Sequence, residues 1–316
     1  MLSRVADNLY WMSRYLERAE HTARLLAVKL ESMLEQSKEE SETSWRRVVT
    51  ALTGEAPAPT ATTDPFEITH ALALDRFNNS SLISSLRLAR DNARHVREQI
   101  STEMWAHLNR LYLRLAPMTM PDVWGGESPS AFFRDTVEQL QMLEGVTNST
   151  MRHGESWRFI QLGRYIERAQ LVSRLLDLHF DAVPGARPMP QYPDWIVLLK
   201  SCTAFEAYCK VYTANIQRDR IAEFLLFDAE FPHSVRFSVD RLTQSLAQIA
   251  LAAPPARRAA CERLAGRLKA SVDFGQIDEL IGGTIDTFLA NIATQCEQIH
   301  DAVYDAYIAY DAETVL

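Results

Sequence analysis

The chain has 316 residues, 47% of them apolar and 23% charged, and its 33 basic and 41 acidic side chains leave a net charge of −8. This composition is that of an ordinary globular protein and excludes disordered and fibrous chains. The acidic balance also excludes a general nucleic-acid binder, which needs a basic face. Glycine (11) and proline (13) are scarce, so long uninterrupted elements are expected, and these favour helices.

The first predicted helix runs from Ser3 to Glu35. Val5, Leu9, Met12, Leu16, Ala19, Ala23, Leu26, Leu30 and Met33 recur at alternating steps of four and three, an apolar seam of heptad spacing. A second helix lies around Trp45–Leu52 and ends at Gly54. Glu55–Asp64, with Pro57 and Pro59, reads as a linker. A long helix is predicted over Ser81–Leu115, stopping before Pro117, and Pro121–Pro129 with Gly125 and Gly126 reads as a loop. Helices follow over Ser130–Thr150 and Ser156–Phe180. A proline-rich break from Pro184 to Pro193 precedes helices near 194–215, 218–228, 234–252, 256–271 and 276–310. No segment alternates as a strand would. The expected fold is all-α, a large helical bundle in one domain over 1–316.

Four cysteines, Cys202, Cys209, Cys261 and Cys296, are too sparse for a disulfide framework and point to a reducing compartment. Asp7 and Arg14 interrupt any apolar core of a signal peptide, and no apolar run is long enough to span a membrane. The expected location is the cytoplasm, with no membrane partner.

An internal repeat organises the chain. Residues Arg14–Leu26 match Arg164–Leu176 at a constant offset of 150, and eight of the thirteen positions are identical: Arg14, Tyr15, Glu17, Arg18, Ala19, Arg24, Leu25, Leu26 and their partners. Chance would give about one. The expectation is two similar halves, approximately 1–150 and 151–316, arising by duplication and packed about a pseudo-twofold axis.

In each copy a Glu stands three residues after one Arg and seven before another, so the three share a helix face. In the second copy Ile160, Leu171 and Leu178 lie on that same face, opposite the seam of Phe159, Leu162, Ile166, Ala169 and Leu176. Large aliphatics on both sides imply a helix covered on both sides, with its charges at least partly buried. Three readings stand open. The motif is a buried ion-pair network that registers the two halves, or the two copies face each other across a central cleft and present Arg and Glu to an anionic ligand, or the motif is an exposed salt-bridged face.

At these residues the chain resembles the bacterial alpha-E family, an α-helical domain named for its Glu-Arg motif. Leu2–Met12 leading into Arg14–Glu20 is similar to the family's N-terminal signature, Ser85–Arg94 with Val96–Glu98 to its second block, and Gly163–Ala169 to its second Glu-Arg copy. Ala204–Tyr208 and Glu223–Val235 are similar to its C-terminal blocks, except that His233 stands where the family usually has Arg. The resemblance implies partnership with a circularly permuted ATP-grasp protein and a transglutaminase-like protein, in a system that makes or modifies peptides through amide bonds.

The candidate catalytic residues are Glu17 and Glu167, as proton acceptors. The candidate ligand-binding residues are Tyr10, Arg14, Arg18, His21, Arg24, Arg164, Arg168 and Arg174, joined by Arg90, Asn92 and Arg94 of the third helix and by Glu206, which is expected to face the same interior. The stripe Arg87, Arg90, Arg94 and Arg97, with Asp91 and Glu98 interleaved, is either a mixed-charge helix face or a phosphate or carboxylate cradle. Cys209 reads as a buried thiol rather than a nucleophile. Two Glu-x-x-His pairs, Glu67 with His70 and Glu297 with His300, resemble half of a di-iron site, but chance alone supplies such pairs and no metal is expected. No cofactor is expected either. No phosphate loop, nucleophile elbow or His-Glu-x-x-His is present, so ATP chemistry belongs to a partner. The expected ligand is an anionic peptide, acyl or phosphorylated group bound in the cleft. The alternative is a non-catalytic scaffold or docking subunit whose Glu-Arg network is structural.

Overall fold

The structure is a computed structural model that describes residues 3–33, 38–58, 60–126, 128–180, 192–250 and 255–308. Among the described residues every regular element is helical, so the fold is all-α. The elements in chain order are α1 (Ser3–Ser32), α2 (Lys38–Thr53), α3 (Pro65–Thr69), α4 (Leu82–His95), α5 (Thr102–Leu115), α6 (Met120–Trp124), α7 (Pro129–Thr150) and α8 (Glu155–Phe180). They continue with α9 (Tyr192–Ser201), α10 (Phe205–Tyr212), α11 (Arg218–Phe227), α12 (Val235–Ala250), α13 (Pro255–Asp273), α14 (Ile277–Ile281) and α15 (Ile285–Val303).

The chain forms two compact units, and neither is a continuous half of it. One comprises Met1–Arg14, Arg152–Phe180 and Gln217–Leu316, and the other Tyr15–Met151 and Asp181–Ile216. In the first unit α8 is the central element, with α12 and α15 against it, α13 against both of those, and α11 against α12. Every residue of α8 from Phe159 to Ala169 is buried. The partners bury heptad stripes, Val235, Val239, Leu242, Leu246 and Ile249 on α12 and Ile285, Leu289, Ile292, Cys296, Ile299 and Val303 on α15. Burying each such aliphatic contributes roughly 1.5–3 kcal/mol. In the second unit α5 packs between α4 and α7, through Leu86, Ala89 and Ala93 of α4, Met104, Leu108 and Leu111 of α5, and Phe133 and Leu140 of α7.

Four predicted elements differ in their breaks. The expected helix over Ser81–Leu115 is two helices. Val96 leaves helical geometry at φ −129°, ψ 33°, Ile100 is extended, and the Ser101 hydroxyl caps α5 by accepting from the Met104 N–H at 3.1 Å. The apolar periodicity runs through this joint, so only the cap betrays it. The helix expected near 194–215 breaks at Thr203, whose φ of 55° ends α9. The helix expected over 276–310 breaks at Gly282-Gly283, where Gly283 takes φ 125°, a backbone conformation that suits glycine. The loop expected over 121–129 contains α6, closed by a reciprocal cap between Thr119 and Asp122. The end of the first helix at Glu35 and most of the Pro184–Pro193 break lie outside the described residues. Among the described residues no helix is long and apolar enough to cross a membrane.

Candidate functional site

Within the first unit, α1 crosses α8 at Gly163. A Cβ built there would overlap the Ser13 Oγ and the Tyr10 carbonyl oxygen. The missing side chain is what lets the two backbones touch. Ser13 and Gly163 also stand at the same offset of 150, each immediately before its repeated segment.

This contact brings Arg14 to Glu167. The Arg14 Nε donates to Glu167 Oε2 at 2.6 Å, its Nη2 to Gln170 Oε1 at 3.1 Å, and its Nη1 reaches Tyr10 Oη at 3.5 Å. The guanidinium also lies over the Trp11 ring, 4.8 Å from its centroid. Arg14 and Glu167 are both buried. Burial works against the charge on Arg14, but the Glu167 carboxylate and Tyr10 outweigh it and hold the group above its ordinary range. Tyr10 is fully buried, and its hydroxyl is held above its usual value chiefly by that burial.

The network continues to α15. Tyr10 Oη lies 2.9 Å from His300 Nδ1, and the two rings stack at 5.6 Å, with Trp11 edge-on to His300 at 5.4 Å. Burial first, and then the Arg14 guanidinium, hold His300 below its ordinary pKa against the pull of Asp301 and Glu167. The Tyr10 hydroxyl is the donor of this hydrogen bond when the ring carries its proton on Nε2. Cys296 stands in the same cluster, and burial pushes its thiol up to about 12, so it is no nucleophile.

Elsewhere on α8, Arg164 and Arg168 are buried. Arg168 donates to the Pro232 carbonyl at 3.2 Å and lies over the Tyr165 ring. Arg174 is exposed.

The second unit holds the rest of the first copy. Glu17, His21 and Arg24 are buried. Arg24 sits 3.3 Å from Glu20 and donates to Thr203 Oγ1 at 2.7 Å. The left-handed Thr203 therefore serves both to end α9 and to receive Arg24. Arg18 is partly exposed, over Tyr15. The repeat is thus broken in its environment, since Arg24 is buried and its counterpart Arg174 is not. Arg90 and Asn92 on α4 are partly exposed and Arg94 is exposed. Glu206 is exposed on α10 and does not face an interior, because it lies on the side of that short helix away from buried Tyr208. Cys209 is partly exposed rather than buried.

The structure therefore joins Tyr10, Arg14 and Glu167 directly. It adds three residues that sequence reasoning missed as partners: Gln170, His300 and Trp11. Gln170 carried a signal, since it stands in the repeat opposite Glu20. His300 carried none beyond its Glu-x-x-His spacing, because nothing in sequence links it to Tyr10 across 290 positions. Among the described residues, no group of three or more His, Cys, Asp or Glu is placed to hold a metal ion.

A helical domain that buries the Glu167-Arg168 motif on α8 and pairs Glu167 with Arg14 of α1 defines the class of this protein. The chain belongs to the Alpha-E family, described as a predicted alpha-helical domain with a conserved ER motif, whose model matches residues 1–308. It is 25% identical over 320 residues to uncharacterised proteins of Mycobacterium bovis and Mycobacterium tuberculosis CDC 1551, and 24% identical to one of M. tuberculosis H37Rv. Each alignment covers 96% of this chain but only 36% of the relative, so the chain spans about a third of the length of these relatives. No solved structure matches it.

Proposed function

We propose that the chain is a cytoplasmic component of a bacterial peptide-forming or peptide-modifying system. It works with a circularly permuted ATP-grasp ligase and a transglutaminase-like protein, and the ATP chemistry resides on the ligase. The observation that supports a partnered unit is the length of the relatives, in which the matching region is 36% of a longer polypeptide. Such a region functions joined to other chain in the same molecule.

Within that system the chain acts as a helical docking subunit whose Glu-Arg network is structural. Arg14 already directs Nε, Nη1 and Nη2 to groups of its own chain, an arrangement that satisfies a desolvated cation. The second reading makes the Arg and Glu groups the lining of a site for an anionic peptide, acyl or phosphorylated ligand, with Glu17 or Glu167 as proton acceptor. It is favoured by the enclosure of both carboxylates away from solvent, where a ligand would meet them without competing water.

Glu17→Gln and Glu167→Gln in the reconstituted system, each with a stability measurement, separate the two. The structural role expects lowered stability, with turnover falling only as far as the folded fraction falls. The catalytic role expects intact stability and turnover reduced by about 10²–10⁴. If removing the chain altogether leaves ATP-dependent product formation unchanged, the proposed partnership fails.

A further inference from the structure

The α4–α5 face of the second unit carries arginines that the Glu-Arg network does not use. Arg87, Arg90, Arg94 and Arg97 succeed one another at steps of three and four along α4 and the turn after it. On an ordinary salt-bridged face the interleaved carboxylates would engage them. Asp91 does so poorly, standing 3.9 Å from both Arg87 and Arg90, beyond hydrogen-bond range.

Arg90 is held by α5 instead. Its Nε donates to Asn109 Oδ1 at 2.7 Å, and its guanidinium lies over the rings of Tyr112 at 5.1 Å and Trp105 at 5.8 Å. The Arg97 guanidinium lies over the same Trp105 ring, at 4.9 Å. Trp105, Asn109 and Tyr112 share one face of α5, since they are spaced four and three apart. Contact with the rings orders two long side chains before any ligand arrives, which lowers the entropic cost of binding. The Arg97 donors, and the Nη groups of Arg90 beyond the Nε held by Asn109, are left for other use. Among the described residues Arg94 and Arg97 make no ion pair or hydrogen bond, and both are exposed.

We propose that this face binds an acidic peptide segment, with one side-chain carboxylate taken by Arg90 and another by Arg97. The groups offered are donors, and a guanidinium fork matches a carboxylate bidentately. A single-stranded nucleic acid fits less well. The ring faces on which its bases would stack are already occupied by guanidiniums. The site uses none of the residues of the Glu-Arg network, so it stands or falls independently of the function proposed above.

The test uses the whole chain and a fluorescein-labelled hexaglutamate peptide, followed by fluorescence anisotropy, with hexaglutamine as control. Saturable binding of hexaglutamate alone is expected, weakening between about 50 and 200 mM salt. Arg97→Gln removes an exposed side chain that lies over Trp105, so the fold, checked by circular dichroism, should persist while affinity drops about tenfold. Arg90→Gln should have a similar effect. Arg97→Lys should recover only part of the loss, because lysine keeps the charge without the planar fork. The proposal is overturned if the wild-type chain shows no saturable binding, if both Gln variants bind as well as wild type, or if Arg97→Lys binds equally well. It is also overturned if a single-stranded oligonucleotide of equal charge binds more tightly and displaces the peptide.

Discussion

Ser13 and Gly163 stand immediately before the two repeated segments, 150 residues apart, and they meet where α1 crosses α8. The Ser13 hydroxyl donates to the Tyr10 carbonyl at 2.8 Å, and these two oxygens occupy the space where a side chain at Gly163 would begin. Gly163 contributes no side chain at all. The ion pair between Arg14 and Glu167 depends on that approach, because each lies within about one turn of the contact.

Gly163→Ala tests the crossing. Alanine is the better helix former by about 1 kcal/mol, so a free surface would be stabilised by it. Here the added carbon overlaps a backbone oxygen that cannot swing aside. The expected result is a loss of about 2 kcal/mol or more in urea unfolding, and unchanged or increased stability would refute the close approach.

The Arg14–Glu167 pair should show strong coupling. Removing one partner of a buried pair strands the other charge, at about 3–5 kcal/mol. Arg14→Met and Glu167→Leu should each incur this loss. The double variant should be far less destabilised than the sum, because two apolar side chains then pack together. Additive losses in a double-mutant cycle would mean that the 2.6 Å contact contributes little.

His300 should make stability fall with acid. Its pKa in the folded chain is depressed from 6.5 by burial and by Arg14. As pH drops below 6.5 the unfolded chain takes up a proton that the folded chain resists, so stability is lost as the pH falls through the folded value. An NMR titration should place the His300 midpoint below 6.5. His300→Gln should flatten the acid limb of the stability curve.

Lys29 should act on the alkaline side. It is fully buried in the second unit, with Nζ 5.5 Å from the Trp45 ring centroid. Burial lowers it from 10.5 to about 8, with Arg47 adding to the fall and Asp194 opposing it. Between those two values the unfolded chain holds a proton that the folded chain has shed, so stability rises with pH across the window. Lys29→Met should therefore be more stable than wild type at pH 7, by up to about 3 kcal/mol, with the gain shrinking toward pH 10. A difference that is constant with pH would show that Lys29 keeps its proton throughout.

The sequence by itself determined the helices, their apolar stripes and the repeat. The heptad spacing from Leu9 to Leu30 marks residues that are buried, because a helix buries the side of its surface on which apolar residues recur. It also marked the second Glu-Arg helix as covered on both sides, since a solvated face has no need of Leu171 and Leu178. The tertiary structure alone decided the breaks at Val96, Thr203 and Gly283, where a cap or a left-handed backbone overrides unbroken periodicity. It alone chose the partners too. Arg14 could pair within its own helix by spacing, yet it turns to Glu167, 153 residues away, because Gly163 brings the two backbones into contact. Tyr10 meets His300 for the same kind of reason. Which buried charges meet is settled by how closely helices approach, and that distance depends on side-chain volume at the crossing, which one-dimensional spacing does not encode.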